Sequence, residues 1–107
     1  MKSLTEYINE SNLDFDTVED AAAKVVDKLK KKSKWVNQAK SECRTILKDD
    51  PEDFEEKLLN DHSEAPAIWE LIVATAKVLK EDPDKLYEEI GLYSFFDAVS
   101  SKLFFQH

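Results

Sequence analysis

Few residues of this chain could take part in catalysis or bind a metal, and their spacing fits none of the common catalytic sites. The histidines are His62 and His107, and the residues three positions before them are Leu59 and Phe104. The Glu-x-x-His pairs that build dinuclear metal sites in helical bundles are therefore absent. Cys43 is the only cysteine. Because it falls on an apolar stripe, we expect it to be buried as a small hydrophobic side chain.

Metal and cofactor sites that depend on glycine are also excluded. The 107-residue chain contains one glycine, so it has no glycine-rich loop to hold a phosphate group. The acidic run at residues 49–56 lacks the glycine and the alternating oxygen ligands of a calcium-binding loop. Adjacent glutamates such as Glu55 and Glu56 point to different sides of a helix, which disfavours a shared proton. We therefore expect no catalytic residues, no metal and no cofactor, and we interpret the protein as non-enzymatic.

Charge is distributed unevenly along the chain. Residues 24–48 contain nine basic and two acidic residues, a local net charge of plus 7. Residues 1–23 and 49–107 have net charges of minus 5 and minus 10, which gives minus 8 for the whole chain. Like charges add over a surface and attract partners of the opposite charge. This distribution favours a protein that binds other macromolecules.

The basic segment predicts one binding surface, with three interpretations. Its cations suit the phosphates of a nucleic acid, and Trp35 could stack on a base, although Trp35 also lies on the apolar stripe of its helix. The other interpretations are a solvated surface that neutralises nearby acids and a site for an acidic protein partner. The predicted basic face consists of Lys28, Lys30, Lys31, Lys32, Lys34, Lys40 and Arg44.

Two acidic clusters, at residues 49–56 and 81–89, predict a second surface. Their carboxylates could imitate the phosphates of DNA, as those of small acidic helical inhibitors do. Many of these residues also fall in the first turns of predicted helices, where a negative charge gains about 0.3–1 kcal/mol from the helix dipole. The predicted acidic face consists of Asp53, Glu55, Glu56, Glu88 and Glu89.

Helices are the elements predicted to position these residues. One glycine and three prolines leave few residues for hairpin turns, and apolar residues recur at helical spacing. Asp50-Pro51 and Asp82-Pro83 each supply an N-cap followed by proline at the first helical position. We predict an all-α, compact single-domain bundle of five to seven helices over residues 1–107. The predicted helices span about 17–32, 51–60, 64–81, 83–90 and 92–105, with a further helix after a break near Ser33.

The helix at 64–81 is predicted to be the centre of the bundle, because apolar residues cover more than half of its circumference. The last helix and the hairpin at 17–48 would then pack around it, with Gly91 ending the preceding helix in the left-handed conformation. The last helix leaves Tyr93 and Phe104 together on a second facet. These aromatic side chains are either covered by another element, such as an N-terminal arm that carries Leu4, Tyr7 and Ile8, or form an interface with a partner.

A short internal similarity has two interpretations. The run from Ile46 to Glu52 recurs as Val78 to Asp84, at an offset of 32 residues. It would indicate a duplicated helical hairpin, as in solenoid proteins, or two corners that independently use the same residue types to end one helix and begin the next.

Residues 1–12 are predicted to form an N-terminal arm or a short helix, since Ser3 followed by Glu6 is a capping-box pattern. The first ten residues resemble the short N-terminal peptides of phage internal head proteins, with Ile8-Asn9-Glu10 in the place of their cleavage pattern. This resemblance is confined to these ten residues.

The leading functional hypothesis is a module that binds another macromolecule, first of all a protein, through charged helical faces, as an acidic inhibitor or DNA mimic would. The alternatives are nucleic-acid binding through residues 24–48 and a small enzyme whose active site is not visible in the sequence. With one cysteine and no apolar core after Met1, a cytoplasmic location is expected. The longest apolar run, at 71–76, is far shorter than the roughly 20 residues that span a bilayer, so no membrane partner is expected.

Overall fold

The computed structural model describes residues 15–104, and within them the chain forms α-helices and no strands. The helices are α1 (Phe15–Leu29), α2 (Ser33–Lys48), α3 (Pro51–Asn60), α4 (Pro66–Leu79), α5 (Pro83–Ile90) and α6 (Leu92–Leu103), with a 3-10 turn at His62–Glu64. The prediction of an all-α bundle is confirmed. The predicted arm at residues 1–12, including Ile8-Asn9-Glu10, lies outside the described residues. None of the helices within 15–104 combines the length and the apolar character needed to cross a bilayer.

Aspartate side chains begin two of the helices as predicted. The Asp50 carboxylate accepts a hydrogen bond from the backbone N–H of Glu52 at 3.1 Å, and Asp82 accepts one from Lys85 at 3.1 Å. In each case proline follows directly, where its missing N–H leaves no hydrogen bond unmade. These caps use only neighbouring residues, which is why the sequence indicates them.

Two helix ends differ from their predictions. The helix predicted at 64–81 is shorter, because residues 62–64 form the 3-10 turn and Lys80 ends α4 with φ 61° and ψ 42°. The left-handed position is therefore taken by a lysine. Gly91 also has a positive φ, 89°, but its ψ of 177° is extended, so it does not adopt the left-handed conformation predicted for it. This combination is accessible almost only to glycine, and it lets Gly91 end α5 and precede α6 directly.

The central position of α4 matches the prediction. It packs against α1, α2, α5 and α6, and its buried residues include Ile68, Leu71 and Ile72. The predicted 17–48 hairpin is an open one, because α1 and α2 each pack more extensively on α4 and α6 than on each other. Leu47, on the predicted apolar stripe of α2, lies outside the core with 70% of its surface exposed.

Candidate functional site

The two acidic clusters of the sequence meet in one cleft between α3, α5 and the start of α6. Glu55 and Glu56 diverge by about 100° around α3, as expected for adjacent residues, but they flank Glu52 at i+3 and i+4, and all three glutamates border the cleft. Phe54 and Leu58, on the opposite side of α3, are buried and fix the helix in place. The cleft has a volume of about 650 Å³. This acidic cleft is lined by Glu52, Glu55, Glu56, Leu59, Tyr87, Glu88 and Tyr93.

The predicted acidic face is divided by this geometry. Glu56 and Glu88 line the acidic cleft and are exposed, and Glu55 lines it while half-buried. Asp53 and Glu89 are exposed on the same two helices but do not line the cleft. Glu52, Tyr87 and Tyr93 line the cleft but do not belong to the predicted acidic face. The signal that the sequence offers for Glu52 is its spacing from Glu55 and Glu56, which follow it by three and four residues.

Glu55 has a structural task in addition to lining the acidic cleft. Its carboxylate accepts a hydrogen bond from the backbone N–H of Leu92 at 2.6 Å, and it thereby caps the start of α6. The hydroxyl of Tyr87 donates to the backbone carbonyl of Glu55 at 3.0 Å. Burial raises the pKa of Tyr87, and the nearby Glu55 carboxylate raises it further. Tyr87 therefore stays neutral and holds α3 against α5.

The remaining carboxylates of the acidic cleft have no ion-pair partner among the described residues. The side chains of Glu52, Glu56 and Glu88 form neither an ion pair nor a hydrogen bond with any other residue in the described part of the chain. Tyr93, on the rim of the cleft, exposes 55% of its surface. Carboxylates form charge-assisted hydrogen bonds with Arg and Lys side chains, and a tyrosine ring attracts the same cations. The cleft can therefore receive cationic side chains.

Metal-binding side chains do not gather at this site or elsewhere within residues 15–104. No group of three or more His, Cys, Asp or Glu side chains there is arranged to hold a metal ion. His62 pairs with Asp84 at 3.0 Å and stacks on Trp69, with ring centroids 3.6 Å apart. His62 therefore contacts both α4 and α5. Cys43 is fully buried, as expected from its place on the apolar stripe.

The predicted basic face contains side chains in different situations. Lys28, Lys31, Lys32, Lys34 and Arg44 are exposed. Lys30 instead pairs with Asp27 at 3.2 Å, and Lys102 of α6 pairs with the same carboxylate at 3.1 Å. The ammonium nitrogen of Lys40 lies over the ring of Phe104, 5.9 Å from its centroid. The exposed cations at 31–34 surround the start of α2.

Trp35 belongs to the interior. It is buried, and its indole N–H donates to the backbone carbonyl of Ala67 at 3.0 Å. With 5% of its surface exposed, the residue offers little area on which a nucleotide base could stack. The apolar-stripe interpretation of Trp35 is the one that its burial supports.

The two aromatic residues of the predicted interface lie in separate surroundings. Tyr93 borders the acidic cleft, whereas Phe104 lines a groove of about 410 Å³ between α2 and α6. This α2/α6 groove is lined by Arg44, Leu47, Phe96, Asp97, Ser100 and Phe104. Both aromatic side chains are exposed among the described residues. The arm predicted as one of their covers lies outside those residues.

Glu42 is a buried carboxylate that is not among the predicted site residues. Its two oxygens accept hydrogen bonds from the backbone N–H groups of Ala67 and Ile68, both at 2.8 Å, and Gln38 donates a third at 2.8 Å. Glu42 thereby caps α4, whose own N-cap residue, Ala65, provides no side-chain hydrogen bond. The available signal was its position on the buried stripe of α2, three residues after Ala39.

The chain was also compared with known proteins. It matches no protein-family model, no curated protein and no solved structure.

Proposed function

We propose that the protein is a non-enzymatic binding module that takes a basic segment of another protein into the acidic cleft. The observation that carries this proposal is the convergence of Glu52, Glu56 and Glu88, without counter-charge among the described residues, beside the exposed ring of Tyr93. An acidic inhibitor of a nucleic-acid-binding protein would use such a site, because the basic segments of those proteins are the complementary partners.

The arrangement supports binding because the helices that carry the carboxylates are in place before any partner arrives. The buried Phe54 and Leu58 fix the position of α3, and the hydrogen bond from Tyr87 to the backbone of α3 fixes α5 beside it. Preorganised charges do not have to be gathered at the moment of binding, which lowers the entropic cost of association. Mutual repulsion of the carboxylates is relieved when a cation enters, and this gives a further reason for affinity.

A matched pair of double variants tests the site. A fluorescein-labelled octa-arginine peptide serves as the probe, and its anisotropy is measured at low salt. Glu56→Gln with Glu88→Gln removes two charges inside the acidic cleft, and Asp53→Asn with Glu89→Gln removes two charges from the same helices outside it. We expect the first variant to weaken binding about ten-fold and the second less than about two-fold. Equal losses would show that the peptide responds only to net charge.

A DNA-mimic form of this proposal makes a different prediction for the same variants. A mimic presents carboxylates over a wide surface, as phosphates lie along a duplex, so Asp53 and Glu89 would contribute as much as Glu56 and Glu88. Competition between the protein and a 20-base-pair duplex for a DNA-binding enzyme measures this. Loss of competition with both double variants would favour the mimic, and loss with the cleft variant alone would favour recognition of a basic segment.

Nucleic-acid binding is the second candidate function, and a specific observation favours it. Lys31, Lys32 and Lys34 are exposed around the start of α2 and form no ion pair within residues 15–104. The helix start itself has no side-chain cap, so its N–H groups face outward with the positive end of the helix dipole. Phosphate groups would find both kinds of donor there.

A second matched pair tests this candidate. Binding of a labelled 20-nucleotide DNA strand at low salt is compared for Lys32→Gln with Lys34→Gln and for Lys77→Gln with Lys85→Gln, which removes two exposed lysines from α4 and α5. The candidate predicts an affinity that falls steeply with added salt and falls further only in the first variant. Absence of binding by the wild-type protein at low salt would rule it out.

A further inference from the structure

We propose that the protein associates with a second copy of itself through the α2/α6 groove, in a two-fold symmetric dimer. The groove shares no residue with the acidic cleft, so this inference is independent of the proposed function. It starts from an apolar surface that the bundle leaves uncovered among the described residues. Apolar side chains that are exposed to water gain free energy when another surface covers them.

The surface contains both a protruding side chain and a space to receive one. Leu47 stands at the edge of α2 with 70% of its surface exposed. Beside it, Phe96 and Phe104 of α6 line a volume of about 410 Å³, which is ample for a leucine side chain. In a two-fold arrangement each Leu47 enters the space between α2 and α6 of the partner, and both leucines leave water in one step.

The charges on the same surface are self-complementary. Arg44 lies on the α2 side of the groove and Asp97 on the α6 side, and both are exposed. Neither forms an ion pair with any residue that the structure describes. A two-fold axis through the groove exchanges the two sides, so that Arg44 of each copy faces Asp97 of the other.

A second copy is the occupant because every complementary feature is already present on this chain. A symmetric interface requires a surface that fits itself, with each contact made twice. The α2/α6 groove offers one protruding apolar residue, one apolar space and one residue of each charge. A surface that binds a different protein needs only the protruding residue or the space, and only one of the two charges.

Sedimentation equilibrium of the full chain tests the dimer at protein concentrations from about 10 μM to about 1 mM. The wild type is expected to rise from the 12.3 kDa mass of one chain towards twice that mass. Leu47→Glu should remain at the mass of one chain. Val78→Glu is the matched control, because Val78 is also exposed, at 57%, but lies on α4 outside the groove. Circular dichroism establishes that both variants fold.

Charge exchange tests the two-fold pairing. Arg44→Asp and Asp97→Arg should each raise the dissociation constant about ten-fold, and the double variant should restore it to near the wild-type value. A wild type that keeps the mass of one chain at about 1 mM would overturn the proposal. So would a dimer that Leu47→Glu leaves intact. Failure of the double variant to restore association would overturn the symmetric pairing of Arg44 with Asp97.

Discussion

Glu42 and Glu55 do the same work at two places in the bundle, and they differ in burial. Each is a glutamate that reaches from one helix to the uncapped start of another, Glu42 to α4 and Glu55 to α6. Glu42 is 4% exposed and satisfies two backbone N–H groups, whereas Glu55 is half-buried, satisfies one and lines the acidic cleft. The buried cap holds the core together, while the half-buried cap connects the core to the candidate site.

Removal of the buried cap should have the largest effect on stability. In Glu42→Ala, the N–H groups of Ala67 and Ile68 lose their acceptors at buried positions. The cost of leaving buried donors unsatisfied predicts a loss of about 3–4 kcal/mol in the free energy of unfolding. Urea unfolding followed by circular dichroism measures it, with Glu42→Gln as the control, since glutamine keeps one acceptor oxygen and should lose less. A loss below about 1 kcal/mol for Glu42→Ala would contradict the capping role.

Gly91→Ala should have the next largest effect, and it acts on the half-buried cap. A Cβ at this position would lie 2.9 Å from the carboxylate oxygen of Glu55 that caps α6, at a φ of 89° that alanine rarely adopts. Backbone strain together with a displaced cap predicts a loss of about 2–3 kcal/mol.

A double-mutant cycle divides this loss into its two causes. In a Glu55→Ala background no capping carboxylate remains to be displaced, so Gly91→Ala should then cost only the backbone strain. Equal costs in the two backgrounds would mean that the alanine leaves the Glu55 cap in place.

Glu55→Ala alone should cost less than either change, about 1–2 kcal/mol, because one half-buried hydrogen bond and its interaction with the helix dipole are lost. Glu56→Ala, one residue away and exposed, is the matched control and should change stability little. Added salt should reduce the effect of Glu55→Ala more than that of Glu42→Ala, since buried charges are screened less. An equal salt response for both would argue that the two caps are equally open to solvent.

The difference between local and distant caps explains what could be predicted from the sequence. The caps formed by Asp50 and Asp82 join residues two or three positions apart, and their residue types indicate them. The caps formed by Glu42 and Glu55 join residues 25 and 37 positions apart. Such pairs depend on how helices are placed in space, which helical periodicity does not specify. The same reason explains why the acidic clusters were predicted but their shared cleft was not.

The two segments with similar sequences, at residues 46–52 and 78–84, differ in structure at their helix corners. Lys48 ends α2 in helical conformation, whereas the corresponding Lys80 is left-handed. Ile46 is buried, but its counterpart Val78 is 57% exposed. The two corners therefore turn differently and bury different sides of the preceding helices. These differences favour independent use of the same residue types over a duplicated hairpin.

The smallest expected effect appears only at high pH and comes from the neighbour of Glu42. Burial raises the pKa of Cys43 to about 11, with the Glu42 charge adding to the rise and a hydrogen bond with Ser100 opposing it. The folded state disfavours the thiolate, so this contribution to stability is complete below pH 9 and is lost as the pH rises towards 11. The pKa of Tyr87 is also raised in the folded state, from an ordinary value of 10 that applies to the unfolded chain, so its ionisation lowers stability mainly above pH 10. The interval between pH 9 and 10 therefore reports mainly on the thiol. Urea unfolding across that interval should show a smaller decline in Cys43→Ala than in the wild type. Parallel declines would mean that the thiol of Cys43 ionises as readily in the folded chain as in the unfolded one.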